Sequence, residues 1–237
     1  MNTFILPVDF SPVSLNAACY GLELAKLTGG SVTLLHVCQI PQSVNEVPVP
    51  DEVIESLFEE AEKKISEYKL TLAERSENKV KIYTEVKSGN VFIEMEKLCQ
   101  VLKPFAVVMG THGAGAVKRL LLGSNTIYAA RHLQWPLIIV PQGSKFQGMR
   151  NIGLACDFRK MIKTLPDTEI RNLVNSTGAK LHVFHVNPAN EKALEPEEIE
   201  ESGWVREMLF DIHPTFDFIT GDDTDKSIME YALKNNL

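Results

Sequence analysis

Between Met109 and Thr126 the chain reads MGTHGAGAVKRLLLGSNT, with glycines at 110, 113, 115 and 123. Gly110 and Gly113, just after an apolar run, allow a turn with positive φ and the close approach of a ligand to the backbone. Gly123-Ser124 then opens a helix and offers free amides, a hydroxyl and the positive end of the helix dipole to a phosphate. Asp9, at the end of the first apolar run, would lie across the same crevice, placed to accept hydrogen bonds from a sugar or base. It reads also as an N-terminal cap on the first helix, and both roles are compatible. His112 sits inside the loop, within reach of a phosphate or a general-base position, or simply in solvent. Lys118 and Arg119 either screen phosphate charge or form a solvated helix face. No GKS or GKT closes the loop, so it is not a Walker loop, and its glycines follow a late strand, unlike the dinucleotide fingerprint. Spacing alone leaves two readings, a phosphate cradle and a structural turn that closes a sheet.

The surrounding elements follow from periodicity. Thr3–Val8, Ser31–Val37, Val80–Val86, Phe105–Met109 and Pro136–Val140 are short runs rich in branched residues, and four of the five are continuously apolar rather than alternating. Between them lie helical patterns: one opened by Ser11-Pro12 and stopped at Thr28-Gly29-Gly30, one over 51–75, one over 90–102 with Val91, Met95, Leu98 and Leu102 on one face, and a short one after Ser124. In the second of these, Leu57, Ala61, Ile65, Tyr68 and Leu72 suit packing on a sheet. Strands alternating with helices, most of them continuously apolar, predict a parallel, doubly wound sheet. Ligands bind such sheets in the crevice beyond the strand carboxyl ends, at the point where strand order reverses.

The pattern then begins again. NIGLACDF at 151–158 mirrors TFILPVDF at 3–10, with Asp157 falling 148 residues after Asp9. STGAKLHVFHV at 176–186 mirrors LTGGSVTLLHV at 27–37, with Gly178, His185 and Val186 each 149 residues after their partners. A near-constant offset over two segments signals tandem duplication. The linker is QGSKFQGM, 142–149. Further on, Asp217–Gly221 resembles the third strand and the segment from Ile228 to Leu237 the following helix, Ile228 falling on Ile93 at an offset of 135. Roughly forty residues of the first copy then have no counterpart, which predicts a truncated second copy without the phosphate loop and without a nucleotide site of its own.

Composition bounds the function. The 237 residues are 44% hydrophobic and 23% charged, with 24 basic against 31 acidic side chains and a net charge of −7. A field of that sign repels nucleic acid and anionic membranes, while leaving a small anion free to bind a local cradle of amides. The N-terminal residues carry no basic leader, and no run approaches the ~18 apolar residues of a membrane span, so a cytoplasmic location is expected. Cys19, Cys38, Cys99 and Cys156 are scattered through apolar-periodic segments and read as buried free thiols. His182 and His185, three apart on a strand, point to opposite faces and do not form a metal pair. The acidic stretch Glu191–Glu201 reads as a solvated loop or helix face.

Taken together these residues resemble the nucleotide-binding branch of the universal stress protein family, whose fourth strand is followed by Gly-x2-Gly-x9-Gly-Ser/Thr. Here Gly110, Gly113, nine residues (AGAVKRLLL) and Gly123-Ser124 match it in full. ILPVDFS resembles the family's first strand and LLHV its second. The resemblance spans residues 1–141, with a second, incomplete copy over 150–237. It implies an α/β fold, a doubly wound parallel five-stranded sheet of the adenine nucleotide α-hydrolase-like type, repeated with the second copy truncated. It implies ATP, with or without Mg²⁺, in the N-terminal crevice. Pro7, Val8, Asp9 and Val37 would line the adenosine pocket and Met109 and Gly110 the ribose side, while Gly113, Gly123, Ser124, Asn125 and Thr126 would hold phosphates beside His112. It also implies a homodimer through the edge strand near Leu137–Val140.

The function expected is a nucleotide-dependent stress-response module with at most weak ATP hydrolysis, because phosphoryl transfer needs a cationic clamp and an oriented water besides a cradle. Two alternatives share the fold. One is a nucleotide-independent dimeric interaction protein; the other is an adenylating or nucleotide-hydrolysing enzyme, whose HxGH-like or SGGxDS-like motif this chain lacks. A receiver-like signalling domain is disfavoured, because Asp9 has no acidic neighbour and no lysine follows FAVVM in the required place.

Overall fold

The computed structural model describes residues 2–40, 50–111, 123–158, 161–188 and 196–237. The chain divides into two compact units, Met1–Phe146 and Gln147–Leu237. His112, Gly113, Lys118 and Arg119 lie outside the described residues.

In the first unit the elements run β1 (Thr3–Pro7), α1 (Pro12–Leu27), β2 (Ser31–Cys38), α2 (Asp51–Arg75), β3 (Lys81–Ser88), α3 (Val91–Leu102), β4 (Ala106–Gly110), α4 (Ser124–His132) and β5 (Leu137–Val140). All strand pairs are parallel and the sheet order is β3-β2-β1-β4-β5. The chain therefore steps outward from β1 to β3, returns to the other side of β1, and steps outward again. Phe4, Ile5, Leu6, Leu34, Val107 and Val108 are completely buried, because helices cover both faces of the sheet. Leu6 faces α1, where Gly21 leaves no room for a Cβ. Ile5 faces the other way, into a cluster with Met95 and Cys99 of α3. In α3 the buried stripe is Met95 and Cys99, with Val91 and Leu98 packed beside them; Leu102, expected on that face, is exposed as the helix turns into its C-terminal cap.

Local signals set the ends of α1. The Ser11 hydroxyl accepts a hydrogen bond from the Ser14 amide (3.2 Å), and Pro12 occupies the first helical position. Gly29, past the last turn, has φ +62°.

The second unit contains β6 (Asn151–Ala155), α5 (Met161–Thr164), α6 (Asp167–Thr177), β7 (Lys180–Pro188), α7 (Pro196–Met208), a 3₁₀ turn at Phe210–Ile212, β8 (Thr215–Gly221) and α8 (Thr224–Asn235). Its parallel three-stranded sheet has the order β6-β7-β8. Pro7 pairs with Leu35 and Ala155 with Phe184, so Ala155 stands in the place of Pro7 and Cys156 in that of Val8. The same turn follows both strands. Phe10 (φ 63°) and Phe158 (φ 52°) adopt left-handed backbone, a conformation that costs a non-glycine residue roughly 1–2 kcal/mol. Phe10 lies on the His36 ring at 4.3 Å between centroids, and Phe158 on His185 at 5.4 Å. Each histidine donates its Nδ1 proton to a carbonyl, Val8 in one unit and Cys156 in the other, at 2.7 Å in both.

The caps of the helices change one alignment. Asn90 and Asp223 cap α3 and α8 through side-chain oxygens, and Lys103 and Asn236 end them in left-handed backbone. Those pairs are 133 residues apart, so the offset of 135 expected from matching Ile228 to Ile93 is replaced by one that puts Ile228 on Met95. In the acidic stretch Glu197 and Glu200 are exposed, as its solvated reading expects, whereas Glu198 in α7 is buried; residues 191–195 lie outside the described residues. The four cysteines are free, and burial pushes the Cys99 and Cys156 thiols up to about 12.

Of the two tryptophans, Trp135 belongs to the first unit and Trp204 to the second. In a Trp204→Phe background, Ser11→Ala is expected to lower the stability reported by Trp135 by about 1 kcal/mol, read as an earlier urea midpoint of its fluorescence.

Candidate functional site

Strand order reverses between β1 and β4, and beyond their carboxyl ends lies a crevice of about 420 Å³, within the roughly 300–1,000 Å³ usual for small-ligand pockets. Ten of the sequence-predicted residues line it: Pro7, Val8 and Asp9 after β1, Val37 of β2, Met109 and Gly110 of β4, and Gly123, Ser124, Asn125 and Thr126 at the start of α4. Residues 102 positions apart in the chain thus meet around one cavity because β1 and β4 are neighbours. The remaining two, His112 and Gly113, fall outside the described residues.

Gly110 departs from its expected role. Its φ is not among the positive ones, so the absent side chain does not serve a left-handed turn. It serves contact: a Cβ there would lie 2.7 Å from Val13 Cγ1 and 2.9 Å from the Val13 carbonyl oxygen. The first turn of α1 thereby rests directly on the end of β4. From the other side, the Thr126 hydroxyl donates to the Gly110 carbonyl at 3.0 Å. Thr126 is buried by this bond, whereas Ser124 and Asn125 are exposed at the mouth of the crevice. Gly123 begins α4 without a side-chain cap, so the helix presents its free amides and dipole to whatever enters.

Asp9 is not the cap of α1, since Ser11 takes that position. Its Oδ1 instead accepts the Ser11 amide at 3.0 Å, while its own amide points to Ser14 Oγ at 3.4 Å. Partial burial works to raise the Asp9 pKa, but hydrogen bonds from Ser11 and Ser14 outweigh it and hold the carboxyl below its ordinary value. Asp9 is thus an anion throughout the neutral range, an acceptor set apart from the amides of α4 on the far wall.

Sequence reasoning did not single out Ser11, Val13, Ser14, His36, Gln39 or Val91 as lining residues. For His36 a signal existed, the recurrence of histidine at 185, but its meaning lies in a bond to a carbonyl 28 residues away. A second cavity of about 400 Å³ shares Gln39, Val91 and Asn125 with the crevice and continues to Ser88–Asn90 at the end of β3.

Comparison with known proteins agrees with this architecture. The family model described as "Universal stress protein family" matches residues 1–141. A universal stress protein of Methanocaldococcus jannaschii is 30% identical over 146 residues, covering 60% of this chain and 82% of that protein. An uncharacterized protein of Schizosaccharomyces pombe is 29% identical over 143 residues, 58% of this chain but only 23% of its own length. Among solved structures, that of a universal stress protein from Archaeoglobus fulgidus shows the same fold, with a TM-score of 0.75 at 22% identity over 99% of this chain and 84% of that one.

Two outcomes test the site's construction. Gly110→Ala is expected to cost about 1–3 kcal/mol, because the new Cβ meets the Val13 backbone carbonyl as well as its side chain, and the urea midpoint of the Trp135 signal reads it. Asp9→Ala is expected to lower the melting temperature at pH 7. Since the folded carboxyl titrates below its ordinary value, its contribution is complete above that value and is lost as pH falls through the folded one. The difference between wild type and variant should therefore shrink below about pH 4, as scanning calorimetry across pH 2.5–7 would register.

Proposed function

Since the chain belongs to the universal stress protein family, we propose that the crevice of its first unit binds ATP and that the protein acts as a nucleotide-dependent regulatory module. The observation that carries this reading is the convergence of all ten described motif residues on one cavity, with an uncapped helix N-terminus on one wall and an ionised carboxylate on the other. The two walls suit the two ends of a nucleotide. Exposed Ser124 and Asn125, with the first amides of α4, fit phosphate oxygens. Asp9 fits hydroxyl or amino donors of a nucleoside, with Val8, Val37 and Met109 supplying apolar surface. Gly113 and His112, by their place in the motif, would complete the phosphate side. When bound, ATP supplies a phosphoanhydride whose hydrolysis a cradle alone accelerates little, so occupancy is the signal and hydrolysis, where it occurs, resets it.

Further parts of the reading rest on the same family. The second unit, with its shared turn and capped helix, is read as a partial second copy. Among the described residues β5 is an edge strand, paired only with β4, and a homodimer through Leu137–Val140 would cover it. Among the described residues no helix is long and apolar enough to cross a membrane, and free thiols suit a reducing cytoplasm.

The test is a calorimetric titration of the protein with ATP and Mg²⁺, alongside Asn125→Asp. An acidic residue in the first turn of α4 improves its interaction with the helix dipole but places negative charge where phosphates would sit. One site per chain is expected in the wild type, weakened by about tenfold or more in a variant whose stability is unchanged or slightly higher. Absence of heat and of thermal shift at millimolar ATP would remove the nucleotide from the reading and leave a nucleotide-independent interaction protein.

A further inference from the structure

The cavity beside the crevice has a construction of its own. The register of β2 on β3 pairs Cys38 with Ser88, and the Gly89 amide donates to the Cys38 carbonyl at 3.2 Å. Gln39 and Ile40, which follow β2, are thereby held beside the turn that leads from β3 into α3. Gly89 makes that turn at φ +121°, a backbone conformation open to glycine and costly for other residues. Asn90 then caps α3. Its Oδ1 accepts the Phe92 and Ile93 amides, at 2.9 and 3.2 Å, which leaves its Nδ2 group as a donor. These residues, with Val91 and Asn125, enclose about 400 Å³.

Two observations say what this space suits. The first is where it opens. It shares Asn125 with the crevice but not Asp9. Asn125 lies in the first turn of α4, so the cavity continues the crevice past its wall of amides and away from its carboxylate. The second is charge. None of the described lining residues of the cavity is ionisable. Ser88 brings a hydroxyl, Gln39, Asn90 and Asn125 bring carboxamides, and Ile40 and Val91 bring apolar surface. The charged side chains that adjoin it in the chain are paired with each other, Glu85 with Lys87 at 2.9 Å and Glu94 with Lys97 at 2.7 Å. Such a surface offers no countercharge to the roughly two negative charges of a terminal phosphate. Its hydroxyl and amides do match the donors and acceptors of a neutral polyhydroxyl group.

We propose that crevice and cavity form one groove, and that the ligand filling both is a nucleoside diphosphate whose second phosphate carries a neutral sugar. The proposal rests on the nucleotide reading of the crevice given above. The nucleoside faces Asp9, the diphosphate lies along the start of α4, and the sugar occupies the cavity, where Ser88 and Asn90 determine specificity. Esterifying the second phosphate removes about one negative charge from the ligand, which suits a chain whose own net charge is −7.

The experiment titrates the whole chain calorimetrically with ADP and with ADP-ribose, each with Mg²⁺, as wild type, Ser88→Ala and Asn90→Ser. Asn90→Ser keeps a side-chain oxygen for the amides of α3, and so the cap, while removing the Nδ2 donor. In the wild type ADP-ribose is expected to bind about tenfold or more tightly than ADP, and each variant should cut that ratio severalfold. Equal affinity of the wild type for the two ligands overturns the proposal and leaves the nucleotide reading standing. A ratio unchanged in both variants also overturns it, because the lower charge of ADP-ribose then accounts for the gain. Heat from ATP with none from ADP-ribose overturns this proposal alone; heat from none of the three nucleotides removes the nucleotide reading with it.

Discussion

The crevice exists because three chain segments meet at one residue without a side chain. Gly110 ends β4; the first turn of α1 lies against it, where a Cβ would meet the Val13 carbonyl at 2.9 Å, and the first turn of α4 is tied to its carbonyl through Thr126. A larger residue would push α1 away from β4 and take Asp9, Ser11 and Ser14 with it. Loss of the Thr126 bond would leave the amides of α4 without fixed aim. The distance between the two walls of the site is thus set by packing, before any ligand is considered. A site whose geometry is fixed in this way binds without first ordering its own walls, which lowers the entropic cost of association.

The two units show which parts of this arrangement are local and which are not. The turn after the first strand is local: in both units a phenylalanine in left-handed backbone is held by a histidine ring, and that ring is oriented by a carbonyl at the strand end. It forms in the second unit although, among the described residues, β6 pairs with β7 alone. The crevice is not local. It needs β4 beside β1, the close contact at Gly110 and the start of α4, and none of these has a counterpart among the described residues of the second unit. Keeping the turn therefore does not keep the site.

Much of this was legible in the sequence, for identifiable reasons. Apolar runs and helical spacing placed every element of the first unit within a few residues, and Ser11-Pro12 marked the start of α1 as the structure has it. The motif glycines Gly110 and Gly123 fell on one cavity with Asp9 because parallel sheets bring the ends of non-consecutive strands together. What was not legible depended on distant atoms. Gly110 read as a turn former, but its neighbour is Val13, almost a hundred residues earlier. His36 had no partner visible within its own strand.

The electrostatics of the crevice follow from its lining and from the charge of the whole chain. At the carboxyl ends of the first sheet, strand reversal opens a cavity whose described lining contains no lysine or arginine. The chain as a whole carries a charge of −7, so long-range attraction does not gather anions there. On the proposed reading, selectivity comes from short-range amide and hydroxyl contacts at the start of α4, which reward a compact phosphate group and do not compensate the repulsion of an extended polyanion.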